Sequence, residues 1–248
     1  MIMGTDMNTD TVMATITTTN ITALQPSGLA QLRLLHLVSP SLPIGAFTYS
    51  QGLEWAVECG WVTDESSLEQ WGEALLHSAM RDLEVPLLAR LYRASAEHDL
   101  EALNYWSHTL LAARETKELR EEERNRGRAL ATLLPQLQIP VSAESLPLLR
   151  SCQLAGFAHA ACYWQIPLSQ AAAGYLWGWL ENMALAGVKI VPLGQTAGQR
   201  IIARLTPAIP EVVSSGLELS DEQIGASSTA QAIASSLHET QYTRIYRS

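Results

Sequence analysis

Apolar side chains recur at a three-to-four-residue spacing along almost the whole chain, and nowhere do apolar and polar residues alternate strictly over several positions. That spacing draws one stripe down an α-helix, whereas a half-buried strand needs a period of two. Leu68, Trp71, Leu75, Leu76 and Met80 share one such face, Leu87, Leu88, Leu91 and Tyr92 continue it, and Leu103, Trp106, Leu110 and Leu111 form another. Ala and Leu, both strong helix formers, supply more than a quarter of the 248 residues. The expectation is an all-α, single-domain bundle of about ten helices over residues 27–248, joined by short loops. A disordered, Thr-rich leader over residues 1–26 precedes it.

Local signals set the helix boundaries. Pro40 stops the first helix. Ser50 is placed to cap a short helix that ends at Gly60, and Ser66-Ser67-Leu68-Glu69 reads as a capping box for the next. Pro86 is expected to break or kink that helix, and Asp99 to cap the one after. Two apolar helices are expected near 144–164 and 168–188, with shorter ones near 195–205, 207–217 and 221–239. Glu181, Asn182 and Lys189 interrupt the apolar stretch within 166–194, so it reads as a buried helix and not a membrane span.

Sixteen basic against 25 acidic residues leave a net charge of −9, the wrong sign for a nucleic-acid binder. Cys59, Cys152 and Cys162 form no CxxC pair, the usage of a reduced, cytoplasmic protein. Residues 1–26 hold no Lys or Arg and lack the profile of a signal or transit peptide. Signatures for phosphate loops, zinc proteases, serine hydrolases and dinucleotide binding are absent, so no catalytic residue and no metal site is assigned. His159 and Cys162, three apart on a helix, read as a core cysteine beside a hydrogen-bonded histidine rather than as ligands. Glu54, Glu58 and Glu181 sit on or near apolar faces. Glu181 is the candidate buried acid of a helical enzyme, but no partner nucleophile accompanies it. Six of the 16 basic residues fall within 114–128, where Glu122 and Arg126 attract at i,i+4 while Glu118/Glu122 and Arg124/Arg128 repel.

Three stretches are more specific than a bundle requires. The loop Ser39–Ser50, with Pro43, Gly45, Phe47, Tyr49 and Ser50 leading into Glu54, reads as a shaped contact loop. The segment 187–200 places Lys189 in an apolar run, followed by Gly194, Gln195 and Arg200 at a break between helices. The C-terminal segment interleaves His238, Glu239, Tyr242, Arg244, Tyr246, Arg247 and Ser248; Tyr and Arg are preferred anchors of protein interfaces.

SPSLPIGAFTYSQGLE (39–54), TKELREEERNRGRALATLL (116–134), VKIVPLGQTAGQR (188–200) and HETQYTRIYRS (238–248) together resemble the urease accessory protein UreF family, in order, from about residue 30 onward. The resemblance implies an all-helical chain without catalytic activity of its own and with no tightly bound cofactor. It implies a homodimer that bridges the scaffold accessory protein UreD (also called UreH) and the GTPase accessory protein UreG. That assembly docks on apo-urease in the cytoplasm and supports GTP-dependent nickel insertion, with nickel passing transiently through the complex. Lys189 matches the lysine of the family's K-x-x-P-L-G-Q segment, on a surface tied to GTPase control, and Arg244 and Arg247 match terminal arginines at partner contacts. A rival reading makes the chain a GTPase activator acting through an inserted Arg200 or Arg244. The tail is expected to order only on binding, so that removing 238–248 leaves the helical fold intact. Lys189→Ala is expected to fold while altering GTPase coupling.

Overall fold

The structure is a computed structural model that describes residues 26–225 and 228–248, so the expected leader lies outside the described residues except for Pro26. The helices are α1 (Pro26–Leu37), α2 (Leu53–Glu58), α3 (Glu65–Leu75), α4 (Val85–Glu97), α5 (Leu100–Ala113), α6 (Lys117–Leu133), α7 (Leu146–Ser151), α8 (Gln153–Tyr163), α9 (Leu168–Ile190), α10 (Gln195–Leu205), α11 (Ile209–Leu217) and α12 (Thr229–His238). Ten have nine residues or more, α2 and α7 have six each, and no strand occurs among the described residues. The all-α expectation holds.

The apolar stripes find one core. Leu87, Leu88 and Leu91 of α4 face Leu154, Ala155 and Ala158 of α8, all fully buried. Each such leucine contributes about 1.5–3 kcal/mol by leaving water. The 23-residue α9 runs through the bundle and packs on α2, α4, α8, α10 and α11. Among the described residues, no helix is long and apolar enough to cross a membrane.

Three local expectations are corrected. The capping box of α3 lies two residues earlier: Asp64 accepts from the Ser67 N–H at 2.8 Å and Ser67 Oγ accepts from the Asp64 N–H at 3.0 Å. Asp64 is extended (φ −151°), whereas Ser66 is already inside the helix. Pro86 does not break the run. Residues Leu76–Glu84 wind as a π-helix that joins α3 to α4 without interruption. The Asp82 carbonyl, which Pro86 cannot serve four residues on, instead accepts the Gly225 N–H at 3.1 Å. The helix expected over 144–164 is split into α7 and α8 at Cys152, which is extended (φ −140°, ψ 113°). The buried Glu123 carboxylate takes the Leu154 N–H there at 2.9 Å, an anion at the start of α8. Gly127 allows this approach, because a Cβ on it would lie 3.0–3.1 Å from the backbone of Arg150 and Cys152.

Candidate functional site

The charge-dense helix α6 is not a solvated rod. Glu118, Glu122 and Glu123 are all buried, and they are met by Arg244, Arg126 and Arg114 respectively. The like-charge pair Glu118/Glu122 is thus explained by tertiary partners: both carboxylates receive the C-terminal segment.

That segment starts at His238, fully buried in the last turn of α12. Its Nδ1 lies 2.6 Å from Glu118 and its Nε2 3.1 Å from Glu54 of α2. Glu54 also accepts the backbone N–H groups of Ile245 (2.6 Å) and Tyr246 (2.9 Å), and Glu118 accepts from Arg244 (2.7 Å). Glu239 accepts the N–H groups of Lys117 and Glu118 at 2.8 and 3.2 Å, placing a carboxylate on the positive end of α6. Thr116 caps the same end and pairs with Ser235 at 2.8 Å. Glu122 accepts from Arg126 (2.8 Å), Gln51 (2.9 Å) and the Ser248 hydroxyl (3.2 Å).

The contact loop closes the arrangement from the other side. The Ser50 N–H donates to the Ser248 carbonyl at 2.7 Å, and the Arg247 N–H donates to the Thr48 carbonyl at 2.9 Å. Tyr49, Ser50 and Glu54 are buried, Pro43 and Phe47 are exposed, and Gly45 adopts φ 74°, which only glycine tolerates freely. The loop and the tail, 198 residues apart in sequence, therefore form one unit. The tail is docked on the body, contrary to the expectation that it orders only on binding. Of its candidate residues, His238, Tyr246 and Ser248 point inward, while Glu239, Tyr242, Arg244 and Arg247 remain at the surface.

Lys189 ends α9 exposed, with Nζ 6.0 Å from the centroid of the Tyr246 ring, a cation–π distance. The second and third candidate stretches thus meet at one point. Gly194 and Gln195 open α10 at the surface. Arg200 lies on the outward face of α10 and pairs with Glu65 of α3, which Arg204 also reaches at 2.8 Å. Hydrogen bonds from Arg200 and then Arg204 lower the Glu65 carboxyl from 4.5 to about 2. The stabilisation from this depressed carboxyl is fully present above 4.5 and is lost as pH falls toward 2. By NMR titration, Arg200→Ala is expected to raise the Glu65 midpoint part of the way to the ordinary value, with Arg204 holding the rest of the shift.

Sequence reasoning missed a second buried network. Arg114 lies 2.6 Å from Glu84 and 3.2 Å from Glu123, and the Tyr175 hydroxyl donates to Glu84 at 3.0 Å. Burial pushes the Glu84 carboxyl up, beyond what Arg114 offsets, and the nearby Glu123 adds to the rise. Burial also works against Glu123, but Arg114 and the Leu154 N–H outweigh it and hold that carboxyl low. One guanidinium serves two carboxyls, and their surroundings drive them in opposite directions, Glu84 up and Glu123 down. Arg114 sits just before the run that opens α6, and no local spacing pairs it with a glutamate 30 residues earlier.

The chemistry-bearing alternatives lose support. His159 Nε2 lies 2.8 Å from the Pro140 carbonyl, and no cluster of three or more His, Cys, Asp or Glu side chains among the described residues could hold a metal ion. Glu181 is partly buried, which raises its carboxyl, and it has no hydrogen-bond partner among the described residues. What the site offers instead is an open polar groove of about 640 Å³ between α6 and the tail, edged by Lys117, Glu121, Asn125, Glu239, Arg244 and Arg247. Its mixed charge offers both signs to a partner of complementary charge.

The UreF family model matches residues 62–206. Urease accessory protein UreF of Alcanivorax borkumensis is 53% identical over 228 residues, covering 88% of this chain and 98% of that protein. The UreF of Pseudomonas putida strain W619 is 50% identical over 222 residues (90% and 99%), and that of Escherichia coli O157:H7 is 44% identical over 223 residues (90% and 100%). With the family model across more than half of the chain and relatives of this identity along nearly their whole length, the chain belongs to the UreF family of urease accessory proteins.

Proposed function

We propose that the chain bridges the scaffold accessory protein UreD/UreH and the GTPase accessory protein UreG, and supports GTP-dependent nickel insertion into apo-urease in the cytoplasm. The observation that carries this reading is the meeting of Lys189 with Tyr246, which joins the surface at the end of α9 to the docked tail. On this reading Tyr242 and Ile245, both exposed, and the charged rim of the groove are the contacts, while His238, Tyr246 and Ser248 hold them in place. The chain acts by binding and carries no resident cofactor; nickel passes transiently through the assembled complex.

Co-expression with the two partner proteins tests it. Lys189→Ala is expected to leave the thermal midpoint within about 2 °C, as surface substitutions do, while weakening recovery of the GTPase in a pull-down. Unchanged recovery would refute the assignment. The rival, an arginine finger, requires Arg200 or Arg244 to leave Glu65 or Glu118 on binding. Bridging predicts that Arg244→Ala lowers complex recovery; a finger predicts intact recovery and a GTP hydrolysis rate reduced about 10³-fold.

A homodimer is part of the same reading. Leu29, Leu32 and Leu35 form an outward leucine ridge on α1 that nothing else in the described chain covers. A second copy would bury it without setting two net-negative bodies charge against charge. Leu32→Glu with Leu35→Glu is expected to yield monomers in sedimentation velocity with unchanged circular dichroism.

A further inference from the structure

The triad at the root of the tail holds more than a structural ion pair. A neutral imidazole carries one N–H, yet His238 meets a carboxylate at each ring nitrogen, at 2.6 and 3.1 Å, with no solvent access. With one proton too few, a ring lone pair would face a carboxylate lone pair in a buried setting. We propose that the C-terminal tail is a latch closed by one extra proton shared within Glu54–His238–Glu118, so that alkaline pH opens it.

The charges around the triad fit this count. Glu54 faces His238 from α2 and Glu118 from α6. Arg244 balances Glu118 from the tail, and Glu122 one turn on is already matched by Arg126. Glu239 is directed away, onto the start of α6, and Lys189 from α9 faces the Tyr246 ring rather than the triad. Two carboxylates are thus met by Arg244 and the shared proton, and loss of the proton leaves a single cation for both. The same carboxylates hold the rest of the tail, since Glu54 binds the Ile245 and Tyr246 amides and Glu118 binds Arg244. Opening the triad therefore releases Tyr246 from beneath Lys189 and uncouples the two parts of the candidate surface.

Trypsin cleavage after Arg244, measured against a free peptide spanning residues 239–248 so that the protease's own pH profile cancels, reads the latch. The full-length chain is expected to be protected at pH 6 and to lose at least tenfold of that protection by pH 9, with helical circular dichroism unchanged. His238→Gln is expected to remove the pH step, with the tail either protected or cleaved at both pH values. Glu118→Gln, whose amide N–H can donate to Nδ1 in place of Oε2 while its oxygen keeps Arg244, needs no extra proton and is expected to stay protected at pH 9. Constant protection of the wild type from pH 6 to 9, or a wild-type pH step in His238→Gln, overturns the proposal.

Discussion

Replacing Arg114 by methionine is expected to lower the unfolding free energy by about 3–5 kcal/mol, the range for removing one partner of a buried ion pair. Glu84 and Glu123 would then share a dry site without a paired cation, since the nearby Arg126 is held by Glu122. The effect should appear in urea denaturation as a lower midpoint with an unchanged slope, which marks lost stability without a change in the surface exposed. Its pH dependence has a fixed sign. Without Arg114 both carboxyls are raised in the folded state, so the stability they allow is present below the unfolded value near 4.5 and lost as pH rises through the folded values. The deficit of Arg114→Met should therefore be smaller at pH 4.5 than at pH 7. Adding Glu84→Gln and Glu123→Gln should recover part of it at pH 7. A deficit below about 1 kcal/mol would show that water reaches the network.

Ending the chain at Gln241 should have the second largest effect. It removes the Ile245 and Tyr246 amides from Glu54, Arg244 from Glu118, and Ser248 from Glu122 and Ser50. Leaving buried charged acceptors short of donors costs on the order of 3 kcal/mol. For a chain of this size that corresponds to a midpoint about 6–12 °C lower by thermal circular dichroism. Partner recovery in the pull-down should be lost with it. The tail contacts thus add a stability cost to the expectation that the helical fold stays intact without residues 238–248. Tyr242→Ala separates the two consequences. Its side chain is fully exposed, so stability should hold while partner recovery falls by about 30-fold if it is an anchor. Equal losses of stability and recovery in Tyr242→Ala would mean that the tail acts through the fold alone.

Much of the architecture was legible locally. Apolar spacing located the helices, Asp99 caps α5 as expected, accepting from the Ala102 N–H at 2.9 Å, and Gly60 leaves α2 with φ 80°. The loop, the 188–200 segment and the tail stood out because their residues are more than a bundle needs. Pro86 was misread because a local rule assigns its lost hydrogen bond no substitute, whereas Gly225 supplies one from far along the chain. The helix over 144–164 was misread because its break depends on Glu123, a side chain from another helix.

The sequence by itself determined the helical class, most helix boundaries, the family, and which stretches carry its specific residues, because each depends on neighbours within one or two turns. Only the tertiary structure decided what those residues do. It turned the like-charged Glu118 and Glu122 into receptors for the tail, brought Lys189 onto Tyr246, and buried Arg114 between two glutamates. His238 meets its two carboxylates across 120 and 184 residues of chain. Helical periodicity fixes which face a side chain takes, but the charge opposite that face is chosen by how the helices pack, and no local spacing encodes it.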